Sequence, residues 1–222
     1  MDDIVLLLLI IALPLIAQIY ISASYSSNLK KKNLNGLTGY DAARKILDAN
    51  GLNDLLIIET GGNLTDHYDP SRKVIKLSKS IYELDSMASI SVAAHEAGHA
   101  LQDKDGYTFL RIRSLIFPIV SFMSRIAYIV IFLGFLLEIA NLIWLGIIAV
   151  GFGVLFQIIT LPVEINASRR AIKQLEELNI VSNEDENNSA KNMLVAAALT
   201  YVAGALAEIL QLIRLLNIVR RD

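Results

Sequence analysis

Two histidines and a glutamate near the middle of the chain have the spacing of a metal-binding helix. The segment His95-Glu96-Ala97-Gly98-His99 is an H-E-x-x-H motif. At about 100° per residue, four positions bring His99 back to within about 40° of His95, so both imidazoles face the same ion. Glu96 lies one step round the helix, where its carboxylate takes a proton from water. The pattern predicts a metal site with a general base beside it.

The composition restricts which ion and which chemistry this site can use. The chain has no cysteine, which excludes a thiol nucleophile, a Cys-ligated zinc and an iron–sulfur centre. Histidine and carboxylate ligands with an open position favour a single Zn²⁺ ion. The formal net charge is −2, so no basic excess favours nucleic acid as a partner.

The hydrophobic residues are concentrated in long uncharged runs. They make up 54% of the chain, and the mean hydropathy is +0.50, above the range of soluble domains. We predict a mainly α polytopic membrane protein, with the lipid bilayer as a partner. The first run is expected to stay as an anchor, because Asp2-Asp3 stand where a signal peptide needs positive residues. The predicted segments are a transmembrane helix at 4–22, a polar portion at 29–113, a helical hairpin at 114–163, a polar segment and loop at 164–192, and an apolar helix at 193–219 that is a candidate fourth span.

Lysine and arginine near these runs predict the orientation. Positive residues follow the first run at Lys30-Lys31-Lys32 and flank both outer ends of the hairpin, whereas the turn of the hairpin has none. Short cytoplasmic loops carry the excess of such residues. We therefore expect the N-terminus outside, with residues 29–113 and 164–192 in the cytoplasm. Arg125 is a costly charge inside the first arm of the hairpin.

The predicted topology narrows the choice of a third metal ligand. A catalytic zinc takes three protein ligands and leaves the fourth position for water. Asp103 and Asp105 follow on the motif helix and do not fold back easily onto its side, and Glu138 is expected on the opposite side of the membrane. Glu164 ends an apolar run on the same side as the two histidines. It is the predicted third ligand, the alternative being an interfacial acid that merely closes a span.

The polar portion at 29–113 reads as a small α+β fold. Thr38 with Asp41 three positions later predicts a capping box at the start of a helix. Short strands are predicted at Leu55–Thr60 and Lys73–Leu77, and the motif helix at about 86–102. The strongly polar residues Ser182–Ser189 are expected to form a loop.

Three segments together resemble a known family. HEAGHALQ (95–102), LPVEINASRRA (161–171) and LTDHYDPSRKVIKLS (64–78) are similar to the bacterial YugP-type family of membrane neutral zinc metallopeptidases, over nearly the whole chain. More distantly, the chain resembles HtpX-type and CAAX-prenyl endopeptidases, which are gluzincins with a membrane hairpin between the H-E-x-x-H helix and the glutamate ligand. The resemblance implies a zincin-like cytoplasmic portion. It also implies His95, His99 and Glu164 as zinc ligands and Glu96 as the catalytic base.

Other residues of the resembling segments have less defined roles. The distant relatives commonly carry E-x-x-A-D at the third ligand, and here Ser168 stands at the aspartate. We expect Ser168 to offer a ligand histidine a weaker hydrogen bond from outside the ligand set. His67 and Tyr68 are candidates for contacts to the substrate or the transition state, although a turn held by Asp69 before Pro70 is the favoured role of that segment.

These observations predict a membrane-bound zinc metallopeptidase in the bacterial cytoplasmic membrane. It would hydrolyse peptides or proteins associated with the membrane, using a metal-activated water with Glu96 as general base. One alternative is a non-catalytic membrane scaffold or adaptor whose metal only joins helices. Another is an intramembrane site-2-type protease, but that class needs its motif inside a span and an aspartate ligand in a later one, and this sequence offers neither.

Overall fold

The computed structural model describes residues 3–220 and is mainly helical, with one small sheet. The long helices coincide with the long apolar runs of the sequence. In chain order the elements are α1 (Asp3–Lys30), α2 (Gly39–Ala49), β1 (Leu56–Thr60), β2 (His67–Asp69), β3 (Val74–Ser78), α3 (Lys79–Glu83), α4 (Met87–Lys104), α5 (Thr108–Leu136), α6 (Ala140–Glu177) and α7 (Glu184–Val219).

The chain divides into two compact units. The first, which we call the helical unit, contains Met1–Gln18, Thr108–Pro162 and Leu199–Asp222. The second, which we call the mixed unit, contains Ile19–Tyr107 and Val163–Ala198. Helices α1, α6 and α7 contribute residues to both units, whereas the sheet and helices α2 to α4 belong to the mixed unit alone.

The helical unit carries the membrane character of the protein. Helices α1, α5, α6 and α7 are each long and apolar enough to cross a membrane. Many of their large apolar side chains are exposed, as Leu115 and Phe122 on α5 illustrate. Where these helices face one another, small and branched residues of α5 and α6 pack with α7 around Ala127, Ile147 and Leu215. The protein is therefore a membrane protein with four candidate spanning helices.

The mixed unit is built around a three-stranded sheet. Strand β3 is central, pairing in parallel with β1 and antiparallel with β2. Apolar side chains from the sheet and from helices α2 to α4 form the core, with Ile46, Ile75 and Ile90 fully buried. At the start of α2, Thr38 and Asp41 form the predicted capping box, which is confirmed by reciprocal hydrogen bonds.

Three elements differ from the sequence prediction. Helix α6 does not end at the predicted hairpin boundary of 163 but continues to Glu177, because Ala167, Ala171 and Leu175 extend a buried stripe at four-residue spacing. The membrane boundary at 163 stays a prediction. Strand β2 and the short helix α3 were not predicted, because each is too short to show a period in the sequence.

The predicted loop at Ser182–Ser189 is wrong from Glu184 onward, where helix α7 begins. The reason is a tertiary contact. The buried carboxylate of Glu186 accepts hydrogen bonds from the amides of Leu34, at 2.6 Å, and Ser182, at 2.7 Å. Asn183 accepts a bond from the Glu186 amide and caps the first turn. A composition typical of disorder is thus held in a helix by a buried acid with two backbone donors.

Candidate metal centre

Helix α4 carries the two histidines and the glutamate of the motif. The helix begins after Ser86, whose hydroxyl accepts a hydrogen bond from the Ser89 amide at 3.0 Å and caps the first turn. The imidazole rings of His95 and His99 meet edge to face, with centroids 4.8 Å apart and planes at 84°. The four-residue spacing therefore places both rings on one side of α4.

Glu164 on α6 brings a carboxylate to the same point. Its Oε2 atom lies 3.2 Å from Nε2 of His95 and 3.5 Å from Nε2 of His99. The potential ligand atoms of the three residues all lie within 4.8 Å of one another. Two ligand atoms that are each about 2.1 Å from a tetrahedral ion stand about 3.4 Å apart. The observed spacing therefore fits ligands that could hold a metal ion.

The close approach of α4 and α6 depends on Gly98. A β-carbon at this position would lie 2.5 Å from the carbonyl oxygen of Ala167 on α6. That distance is far inside van der Waals contact, and the opposing atom belongs to backbone that cannot rotate away. Glycine between the two histidines thus lets Glu164, one turn before Ala167, reach the imidazoles.

The outer nitrogen of each imidazole has its own partner. Nδ1 of His95 lies 3.2 Å from the hydroxyl of Ser168, and Nδ1 of His99 lies 2.9 Å from Oε1 of Gln102. Groups that hold the outer nitrogen orient a histidine ring and leave the inner nitrogen for the metal. The sequence predicted a contact of Ser168 with one of these histidines, and Ser168 lies beside His95; its role in supporting a metal ligand stays a prediction.

Glu96 lies beside the three potential ligands without joining them. Its side chain is buried, and Oε2 accepts a hydrogen bond from the Tyr68 amide at 2.8 Å. Burial raises the pKa of the Glu96 carboxyl to about 7; the negative charges of Glu164 and Asp66 act in the same direction, against His95 and the Tyr68 amide. A carboxyl with a pKa near neutrality is suited to receive and release a proton.

The remaining predicted residues lie on or beside strand β2. The imidazole of His67 is exposed, with Nδ1 2.8 Å from the Thr65 carbonyl oxygen. The hydroxyl of Tyr68 donates to Asp103 at 2.7 Å. Neither side chain belongs to the cluster of ligand atoms around Glu164, so their roles as substrate contacts stay predictions.

The segment after these residues forms the turn that the sequence favoured. Oδ1 of Asp69 accepts hydrogen bonds from the amides of Ser71, at 3.0 Å, and Arg72, at 3.1 Å. A carboxylate bonded to the backbone two and three positions later is the usual Asx-type turn. The turn held by Asp69 before Pro70 is confirmed.

Sequence reasoning missed two contributors to the centre. Gln102 follows His99 by three positions, a spacing that puts both side chains on one face of a helix, and this could have marked it as a partner. The Tyr68 amide could not have been found this way, because every residue except proline has a backbone N–H, so the residue type does not indicate which one donates.

Comparisons with known proteins identify the family of this chain. The family model described as "Putative neutral zinc metallopeptidase" matches residues 3–220. A Bacillus subtilis (strain 168) protein named "Putative membrane protease YugP" is 46% identical over 202 residues, which cover 91% of this chain and 89% of that protein. No solved structure matches the chain. The chain therefore belongs to the neutral zinc metallopeptidase family that this model describes.

Proposed function

We propose that this protein is a membrane-bound zinc endopeptidase of the gluzincin type. His95, His99 and Glu164 would hold one Zn²⁺ ion in a zincin-like site, and Glu96 would be the catalytic base. The observation that carries the proposal is the convergence of Nε2 of both histidines with Oε2 of Glu164, beside a buried carboxyl that is not part of the ligand set. Membership of a zinc metallopeptidase family supports both the ion and the reaction class.

The residues in and around the proposed zinc site each have a defined task in this mechanism. Zinc, when bound, acidifies water and polarises a peptide carbonyl. Glu96 accepts a proton from the attacking water and delivers it to the leaving amine. The Tyr68 amide keeps the Glu96 carboxylate in place. Ser168 and Gln102 hold the outer nitrogens of the histidines, so that their inner nitrogens stay directed at Glu164.

The number of ligands favours a catalytic over a structural ion. Structural zinc normally has four protein ligands, whereas catalytic zinc has three and an open position. In residues 3–220, the cluster around Glu164 comprises three residues. A metal that only joined helices would also not explain why the buried carboxyl of Glu96 lies beside the ligands without being one of them.

We place the catalytic face in the cytoplasm, with the N-terminus outside, on the distribution of positive residues. The substrates would be peptides or proteins at the bilayer surface. Because the chain lacks cysteine, single cysteines can test the orientation. A membrane-impermeant maleimide should label Glu138→Cys in intact cells, and Asn63→Cys, in an exposed loop, only after permeabilisation. The reverse pattern would overturn the orientation.

The function is tested by Glu96→Gln in the full-length chain, reconstituted in liposomes. We expect casein cleavage to fall by about 10²–10⁴-fold, the usual contribution of a general base, while bound zinc stays at the wild-type level. Glu83→Gln, an exposed glutamate on α3, is the matched control and should cleave normally. Full activity of Glu96→Gln would refute the assignment. The same inactive variant, expressed in membranes, should retain uncut chains that identify the substrate.

A further inference from the structure

A buried glutamine joins the two helices that carry the metal ligands. Gln102 has no exposed surface. Its Oε1 lies 2.9 Å from Nδ1 of His99 on α4, and its Nε2 donates to the Val163 carbonyl at 2.8 Å and to Asn166 at 3.0 Å, both on α6. Both N–H groups of the amide are therefore directed at α6.

The partners on α6 fix which end of the amide is oxygen. A backbone carbonyl only accepts, so the Gln102 atom that faces Val163 must be the NH₂ group. Asn166 leads to the same result. Its Oδ1 also accepts from Nε of Arg170 at 2.9 Å, and a guanidinium only donates. The amide of Gln102 consequently turns its oxygen toward His99.

This orientation determines where His99 carries its proton. An amide oxygen only accepts, so Nδ1 of His99 must be the N–H donor. A neutral imidazole has one N–H, which leaves the lone pair on Nε2, the atom that faces Glu164 at 3.5 Å. His95 differs in this respect. Its partner, the Ser168 hydroxyl, both donates and accepts, and so does not select a tautomer.

We propose that Gln102 is a positioning residue that selects the metal-binding tautomer of His99 and ties its ring to α6. The proposal rests on the proposed function, in which Nε2 of His99 is a zinc ligand. Without Gln102, Nδ1 and Nε2 would share the proton, and only part of the molecules would present a lone pair to the ion. Gln102 therefore raises zinc affinity without touching the metal.

The tautomer can be measured directly. The chain contains three histidines, so the imidazole ¹⁵N spectrum of the metal-free, full-length protein in detergent is simple, and His67→Gln and His95→Gln assign it. We expect Nδ1 of His99 to carry a proton in all wild-type molecules, whether or not Nε2 also shares one with Glu164, and Gln102→Met to show molecules with no proton on Nδ1. A wild-type His99 without a proton on Nδ1 would overturn the proposal.

Zinc affinity gives the second measurement, by competition with a chromophoric chelator. Gln102→Met removes the acceptor and both donors at similar length, and zinc binding should weaken about 10- to 100-fold. Gln102→Glu keeps an acceptor for His99 but loses the donors to α6, so it should keep the tautomer while binding zinc less tightly than the wild type. The control is Ser91→Ala, which removes a buried hydroxyl on the same helix that donates only to Met87 at 2.6 Å, and should bind zinc normally.

The outcomes separate this proposal from the proposed function. Wild-type zinc affinity in Gln102→Met, with an unchanged tautomer, would refute the role of Gln102 and leave the peptidase intact. A wild-type chain without zinc affinity would refute the proposed peptidase function. The spectrum of the metal-free protein would still test the positioning role of Gln102. If Gln102→Met does not fold, Gln102→Glu and the wild-type spectrum decide.

Discussion

The two units each place ionisable side chains among apolar helices, but with different geometry. In the mixed unit, His95, His99 and Glu164 direct three atoms at one point, and the outer nitrogen of each histidine has a partner. In the helical unit, Arg125 and Glu208 line a cavity of about 350 Å³ with serine and phenylalanine side chains.

The second group lacks this convergence. Oε1 of Glu208 accepts a hydrogen bond from Gln157 at 3.1 Å, whereas Oε2 is buried with no partner in the described part of the chain. The presence of ionisable side chains among apolar helices therefore does not by itself distinguish a site, because both groups have it. The distinguishing feature is that potential ligand atoms of three residues meet at one point, while the outer nitrogen of each histidine has a hydrogen-bonding partner. Three sets of variants test whether that difference has the expected consequences.

The largest effect is expected for Glu164→Ala. This change removes one of the three proposed ligand atoms, so zinc affinity should fall by more than the roughly 10- to 100-fold typical of losing a supporting partner. Competition with a chelator in detergent measures it. Glu208→Ala is the matched control from the other group and should leave zinc affinity at the wild-type value. Equal affinities for Glu164→Ala and the wild type would mean that the third ligand lies elsewhere.

A smaller effect is expected for Gly98→Ala, which leaves every ligand in place. The added β-carbon meets the Ala167 carbonyl at 2.5 Å, so α4 and α6 must separate. Overpacking of this kind typically costs about 1–3 kcal/mol, and zinc affinity should fall along with the thermal midpoint. Gly151→Ala on α6, where no atom lies within 4 Å of the new carbon, should lower neither. A Gly98→Ala protein with normal zinc affinity would show that the close contact is dispensable.

The smallest effect is expected for Glu208→Gln. The variant retains an acceptor for Gln157 and removes the charge from the cavity, so the thermal midpoint should shift by only a few degrees, at about 2–4 °C per kcal/mol. Zinc affinity and casein cleavage should stay at wild-type values, because Glu208 has no part in the proposed mechanism. A loss of cleavage with zinc still bound would instead give the second group a role in the reaction.

The parts of the molecule that depend on local spacing were predictable. The four-residue interval of His95 and His99, the capping box at Thr38 and the positions of β1 and β3 follow from periods and cap residues that neighbouring positions determine. Arg125 was also visible as a charge in an apolar run, but the sequence did not indicate that it lines one cavity with Glu208.

The parts that depend on distant partners were not predictable. Residues 184–189 look disordered by composition, yet Glu186 reaches the amide of Leu34, 152 positions away. The oxygen of Gln102 is directed at His99 only because Val163 and Asn166, over 60 positions later, accept from its nitrogen. The continuation of α6 past Glu164 is hidden for a similar reason, since a change from apolar to polar composition does not end a helix that still has a face to bury.

The separation of the ligands along the chain bears on how the protein is made. His95 and Glu164 are 69 positions apart, with all of α5 and the first part of α6 between them. During translation, the two histidines leave the ribosome well before the glutamate that completes the set. A chain that stalls inside the hairpin therefore has two ligands and no centre. On the proposed mechanism, a nascent or truncated copy is inert toward surrounding proteins, and hydrolysis begins only after both helices have been synthesised.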